Sequence, residues 1–284
     1  DSVILATGHS ARDIYYLLER KKILLETKPF AIGVRIEHSQ ALIDQLQYRQ
    51  NPRDEGLPAS SYKLVTQVDG RGVFSFCMCP GGLIVPSATA PGELVVNGMS
   101  LSRRDSPFAN SGIVVSIEPD DLTEYIEYGV LAGLKFQHEL EKKVFIAGGG
   151  ITQKAPAQRM TDFVNGRLSD SLAKTSYIPG ICSAPLHEIL PEKISKRLQQ
   201  SFIDFGKKMK GYFTEEANVI AIESRTSSPV KIPRDKGTFM HIQINNLYPC
   251  AEGAGYAGGI VSAAIDGQNV ARAISRNLDS PHHK

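Results

Sequence analysis

The chain has 284 residues, 42% of them hydrophobic, with 32 lysines and arginines against 30 acidic residues and a net charge of +2. A chain of this length and composition can bury a substantial core as one large or two modest domains, which excludes disorder and collagen-like repetition. The near-zero charge gives no general reason for a nucleic-acid partner, and no run approaches the ~18–20 consecutive apolar residues of a membrane span. The opening DSVILATGHS lacks the charged start and cleavage site of a leader, and Cys77, Cys79, Cys182 and Cys250 are too few and too irregularly spaced for a disulfide framework. The expectation is a cytoplasmic protein. Because residue 1 is Asp rather than Met and the chain enters directly into Val3-Ile4-Leu5, the sequence reads as a piece of a longer chain.

In chain order, residues 2–5 predict a short buried strand, followed by the small turn Ala6-Thr7-Gly8. Ser10 and Asp13 form a capping-box pattern for a helix over about residues 11–22. Ile32, Val34 and Ile36 alternate with Gly33, Arg35 and Glu37, predicting a half-buried strand with Arg35 and Glu37 on one face and His38 on the other. Strands are expected near residues 64–68, 73–76, 94–96 and 114–117, with loop between 79 and 92 and irregular chain over 100–112. Asp120 and Asp121 open a long predicted helix to about residue 142. Pro156 and Pro191 read as first positions of two further helices, the second carrying Ile194, Leu198, Phe202 and Phe205 in a satellite bundle. Residues 219–222 and 238–244 read as strands, the latter with Met240, Ile242 and Ile244 on one face. A glycine-rich turn opens a last helix over about 258–277.

That turn, EGAGYAGGI at residues 252–260, contains GxGxxG in Gly253, Gly255 and Gly258 between a predicted strand and a predicted helix. A Rossmann dinucleotide site would also need a following strand and an acidic residue about 20 positions on. Here the chain ends after one helix, so the ordinary Rossmann reading fails. The physics of the turn survives: glycines admit close backbone approach, a helix start offers unpaired N–H groups to an anion or electron-rich ring edge, and Glu252 can accept hydrogen bonds from ligand hydroxyls. The bland alternative is that the glycines only let helix and strand pack closely. Arg225, Ser227, Ser228 and Arg234 are candidates for an anionic substrate or for orienting a cofactor, against a loop held by local side-chain hydrogen bonds. Cys77 and Cys79 form CxC without a second ligand pair, so no zinc or other metal site is expected, and packing is preferred over a redox disulfide. The basic residues Lys193, Lys196, Arg197, Lys207, Lys208 and Lys210 read as a solvated helix face rather than a nucleic-acid surface.

Six segments together resemble the uncharacterised FAD-dependent dehydrogenases of bacteria, related to the glutathione-reductase-like flavoproteins. They are ATGHSARD (6–13), GVRIEH (33–38), FCMCPGG (76–82), NGMS (97–100), SRTSSPV (224–230) and LYPCAEGAGYAGGIVSAAIDG (247–267). The resemblance implies an α/β fold: an incomplete FAD/NAD(P)-binding domain from residues 1–28 and 236–284, with an inserted α+β substrate or cap domain over 29–235. It implies FAD as cofactor, with Thr7 and Gly8 against the phosphate and ribose region, Glu252 on the ribityl chain, and Gly258 and Gly259 facing the flavin pyrimidine. Hydride transfer through flavin on an unknown small-molecule substrate is the implied reaction, with no catalytic acid or base assigned. The family's first phosphate-binding unit is absent from this sequence, so the chain alone is expected to fold without FAD or to bind it feebly, and to be inactive or to self-associate through an incomplete sheet. The alternative is a non-catalytic ligand- or partner-binding module with no retained flavin.

Overall fold

A computed structural model describes residues 1–278; residues 279–284, the end of the predicted C-terminal segment, lie outside the described residues. The chain opens with β1 (Val3–Leu5), α1 (Arg12–Arg20), β2 (Glu26–Thr27), β3 (Phe30–Ser39) and α2 (Gln40–Tyr48). Five strands follow: β4 (Val65–Val68), β5 (Arg71–Cys79), β6 (Gly82–Pro86), β7 (Val96–Ser100) and β8 (Phe108–Ile117). A 3-10 segment, Pro119–Leu131, leads into α3 (Ala132–Ala147), and β9 (Ala155–Arg159) precedes α4 (Met160–Val164). Then come β10 (Ile181–Ser183), α5 (Leu186–Ile189), α6 (Glu192–Lys208) and β11 (Asn218–Glu223). β12 (Val230–Lys231), β13 (Leu247–Pro249) and α7 (Ile260–Leu278) complete a mixed α/β fold. Among the described residues no helix is long and apolar enough to cross a membrane.

The chain divides into two compact units. One comprises Asp1–Phe30, Ile117–Gln137 and the residues from Arg225 onward; the other comprises Ala31–Ser116 and His138–Ser224. The second unit is built on a seven-stranded sheet in the order β10-β9-β11-β3-β8-β5-β4. In it β11 runs antiparallel to β3 and β9, β5 antiparallel to β8 and β4, and β10 parallel to β9. A separate antiparallel hairpin joins β6 to β7. Helix α6 presents Ile194, Leu198, Phe202 and Phe205, all buried, as its spacing predicted. It packs on β4 and β5 as well as on α4 and α5, so these helices cover the sheet rather than forming a satellite bundle.

Strand β3 is buried along nearly its whole length, not on one face as alternation suggested. Its charged residues are buried because each has a partner. Arg35 lies 3.2 Å from the Glu223 carboxylate and donates to the Cys77 carbonyl at 2.7 Å. Glu37 accepts from the backbone N–H and hydroxyl of Ser176. On the opposite face the His38 Nε2–H donates to the Tyr212 carbonyl at 2.8 Å, and burial pushes this imidazole down to about 4.

Several expectations are corrected. The region between Cys79 and Gly92 contains β6 rather than loop alone, paired residue for residue with β7. The long helix from Asp120 is a 3-10 segment with non-helical Leu122 and Gly129, and the α-helix proper begins only at Ala132. Pro156 sits in β9, and helix starts at Met160. Residues 238–244 form no strand beyond an isolated Arg234–His241 bridge. The Asp235 carboxylate takes the N–H groups of Gly237 and Thr238 and turns the chain, and Phe239 has φ +62°. Ser10 does not cap α1, whose N-cap position is Ala11 without a side-chain bond. Cys79 is buried but Cys77 is exposed, so only the first of these has the expected packing role. Of the six basic residues around α6, five are exposed, but Arg197 is buried.

Candidate functional site

All eleven residues singled out in the sequence lie in the unit that contains both β1 and β13. Its core is formed by Tyr15, Leu18, Leu25, Leu131, Leu134, Val230, Ile232 and Ala254. Strands β1 and β13 pair in parallel, Val3 with Leu247 through Leu5 with Pro249. The Cys250 N–H donates to the Leu5 carbonyl at 2.9 Å and extends the pairing by one residue. Two parallel strands end at the same edge, so the Ala6-Thr7-Gly8 turn and the 250–259 turn necessarily leave side by side. The predicted burial of residues 2–5 is not found: Val3 is 57% and Ile4 48% exposed.

The glycines of the second turn do different things. A Cβ on Gly253 would stand 2.6 Å from the Gly8 carbonyl oxygen, so this glycine is required by close approach of the two turns. Gly255 has φ +83°. Around Gly8, Gly258 and Gly259 an added Cβ would meet nothing within 4 Å. Packing thus accounts for Gly253, while Gly258 and Gly259 line open space at the start of α7.

Glu252, in the second turn, lies 3.4 Å from His9 Nδ1. The His9 Nε2–H donates to the Arg225 carbonyl at 3.0 Å, which fixes the proton on that nitrogen in the neutral ring. Burial lowers the His9 pKa, against the opposing influence of Glu252 and the Arg225 carbonyl. A neutral His9 therefore turns a bare Nδ1 toward the Glu252 carboxylate, and this buried nitrogen has no hydrogen-bond partner. Two acceptors 3.4 Å apart leave no room for an atom between them but are both served by a donor beside the pair, such as a hydroxyl. Sequence reasoning passed over His9. Its position two residues after the Thr of ATG was the available signal.

The four polar candidates of the 224–235 region separate. Ser228 is committed locally: its hydroxyl donates to the Val230 carbonyl at 2.5 Å and lies 3.0 Å from the Tyr15 hydroxyl, which donates to the Gly253 carbonyl at 2.7 Å. Ser227 is half-buried, and Arg225 is buried beside His9. The Arg234 guanidinium is a clamp. It donates to both oxygens of Asp266 on α7 at 2.9 and 2.5 Å and to the Pro249 carbonyl at 2.7 Å, and it stacks 3.8 Å from the Tyr256 ring centroid. Asp266 also accepts the Ala251 N–H at 2.8 Å. Burial pushes the Asp266 carboxyl up, but the bonds from Arg234 and Ala251 outweigh it and hold it below the usual carboxylate range.

FAD fits the residues present on three counts: the orphaned His9 Nδ1 beside Glu252 suits a hydroxyl donor, the open faces of Gly258 and Gly259 admit a ring edge, and Thr7 is exposed next to Gly8. Among the described residues no group of three or more His, Cys, Asp and Glu side chains could hold a metal ion.

Fold and turn geometry define a mixed α/β protein in which two strand ends and a helix start converge on a glycine turn. Comparison with known proteins gives the family. The model of the FAD-dependent protein, C-terminal domain-like family matches residues 29–226, and the chain belongs to this family. It is similar to an uncharacterised protein of Clostridium beijerinckii, 44% identical over 285 residues. That alignment covers 99% of this chain and 52% of the relative, so the chain spans about half the relative's length.

Proposed function

We propose that this chain is the C-terminal part of a flavin-dependent oxidoreductase of the glutathione-reductase-like superfamily, a dehydrogenase that holds FAD at the meeting of the two turns. The observation that carries the reading is the parallel pairing of β1 with β13, which sets the 6–8 turn against the 250–259 turn. When bound, FAD supplies hydride transfer through its N5 atom. Thr7 and Gly8 bind the phosphate and ribose region, Glu252 accepts from ribityl hydroxyls, and the amides at Gly258 and Gly259, at the α7 start, favour negative charge on the pyrimidine edge. Arg234 and Asp266 act through the turn's shape, and Arg225 and Ser227 stand nearest to any anionic group of the substrate. In this reading residues 1–28 and 236–284 belong to the FAD domain and residues 29–235 to a substrate or cap domain, in a cytoplasmic protein with no nucleic-acid or membrane partner.

The exposed Val3 and Ile4, with Ile260 and Val261 of α7 at 90% and 72% exposure, favour a second reading. In it this unit is a partner-binding module without flavin, which associates through apolar surface, including with copies of itself.

The test is the visible absorption spectrum of the purified chain after gel filtration with FAD, beside a polypeptide extended at its N terminus as in the longer relative. Flavin absorbance co-eluting with either form is expected. Gly258→Ala and Gly259→Ala, whose methyl groups project into open space, should leave the melting temperature unchanged and weaken FAD retention about tenfold. Retention by neither form overturns the flavin reading.

A further inference from the structure

The unit containing β1 and β13 also holds a cavity of about 310 Å³ whose walls are mainly apolar: Pro119, Leu122, Ile126, Ala132, Gly133 and Pro229. Its floor is close-packed, since a Cβ on Gly133 would lie 2.7 Å from Pro229 Cβ and 3.1 Å from the Phe30 ring. Its roof is the 3-10 segment, broken at Gly129, where φ is +52° and an added Cβ meets nothing within 4 Å.

Lys28 brings a positive charge to this apolar space. Its backbone N–H is fixed to the Pro229 carbonyl at 3.0 Å, and its stem lies along the glycine turn, with Cδ 3.1 Å from where a Gly255 Cβ would be. The ammonium donates to the Pro29 carbonyl at 3.3 Å, and among the described residues no carboxylate pairs with it. The two acids of the cavity wall do not serve. Neither Glu118, in a capping box with Asp121, nor Asp120, exposed at the segment's first turn, forms an ion pair with Lys28. Burial, with no neighbouring anion to oppose it, pulls the Lys28 amine below its ordinary value. A half-buried cation without a counter-ion is stabilised by any anion that can reach it, and an apolar hollow is stabilised by any apolar body that fills it.

We propose that this cavity binds a small molecule with an apolar body and one carboxylate, the carboxylate on Lys28 Nζ and the body against Leu122, Ile126, Ala132 and Pro229. Its size lies at the lower end of small-ligand sites, about 300–1,000 Å³. The site stands independently of the flavin reading.

The test is calorimetric titration of the chain with octanoate, 1-octanol and octylamine, three probes of one body and different head groups. Octanoate should bind about tenfold more tightly than either of the others, the scale of one charge-assisted contact. Lys28→Met keeps the stem on Gly255 and removes the charge; it should weaken octanoate about tenfold and leave octanol unchanged. Ile126→Trp, at a side chain 80% exposed at the cavity mouth, should weaken octanoate and octanol alike without altering the fold. Equal affinity for the three probes, or octanoate binding indifferent to both substitutions, overturns the proposal. FAD binding can fail in the earlier experiment while octanoate binds here, and the reverse, so the two readings fall separately.

Discussion

Replacing Asp266 with Asn tests whether Arg234 is a clamp on the glycine turn. Both side chains are largely buried, with exposures of 7% and 10%, and the carboxylate accepts two guanidinium bonds and the Ala251 N–H. Asn keeps the shape but offers one acceptor oxygen. At least one charge-assisted bond is lost, and a guanidinium is left buried without its counter-ion. Removing one partner of a buried pair costs about 3–5 kcal/mol, a large share of a typical domain's ~5–15 kcal/mol. Urea unfolding followed by tyrosine fluorescence, which suits a chain with ten Tyr and no Trp, should show that loss. Amide exchange should localise it to the segment around 249–256. The paired change Arg234→Met with Asp266→Leu should be less destabilising than Asp266→Asn alone, because no charge is then stranded. If Asp266→Asn unfolds within about 0.5 kcal/mol of the parent, the scale of ordinary surface changes, the clamp is not what holds the turn.

Two further outcomes are expected. His38 is neutral in the fold with its pKa at about 4 against 6.5 unfolded, so its contribution is present above 6.5 and is lost as pH falls toward 4. Linkage gives a loss of about 2 kcal/mol between about pH 7.5 and pH 5, which His38→Gln should abolish in urea titrations; an unchanged slope would remove His38 as its source. Gly253→Ala drives a methyl group against the Gly8 backbone and should cost about 1–3 kcal/mol by thermal unfolding, whereas Gly258→Ala costs nothing measurable. Equal melting temperatures for the two variants would contradict the assigned contact between the turns.

Local signals carried much of the architecture. The apolar spacing of Ile194, Leu198, Phe202 and Phe205 marked the buried side of α6, and Ile32, Val34 and Ile36 marked β3. What alternation could not convey was that Arg35 and Glu37 are also buried, because their partners Glu223 and Ser176 are remote in sequence. A different, local effect misread residues 238–244, where Met240, Ile242 and Ile244 mimic a strand but the Asp235 carboxylate draws the backbone at Gly237 and Thr238 into a turn. The glycine turn was legible as a motif, but its division of labour was not. Gly253 is explained only by Gly8, and the use of Arg234 as a clamp only by Asp266. His9 carried no pattern of its own and gained meaning from the Glu252 carboxylate and the Arg225 carbonyl.

The pairing of Val3 with Leu247 also has a temporal side. It closes a loop running through nearly the whole chain, an entropic cost that must be met before the contact returns anything. On a ribosome, every strand of the seven-stranded sheet has been synthesised before the first residue of β13 is made. The candidate cofactor turn can therefore be assembled only after the residues of the other unit have been made. A nascent chain halted before residue 247 would contain every residue of the other unit and none of β13, a sequence of events that stalled translation products could display directly.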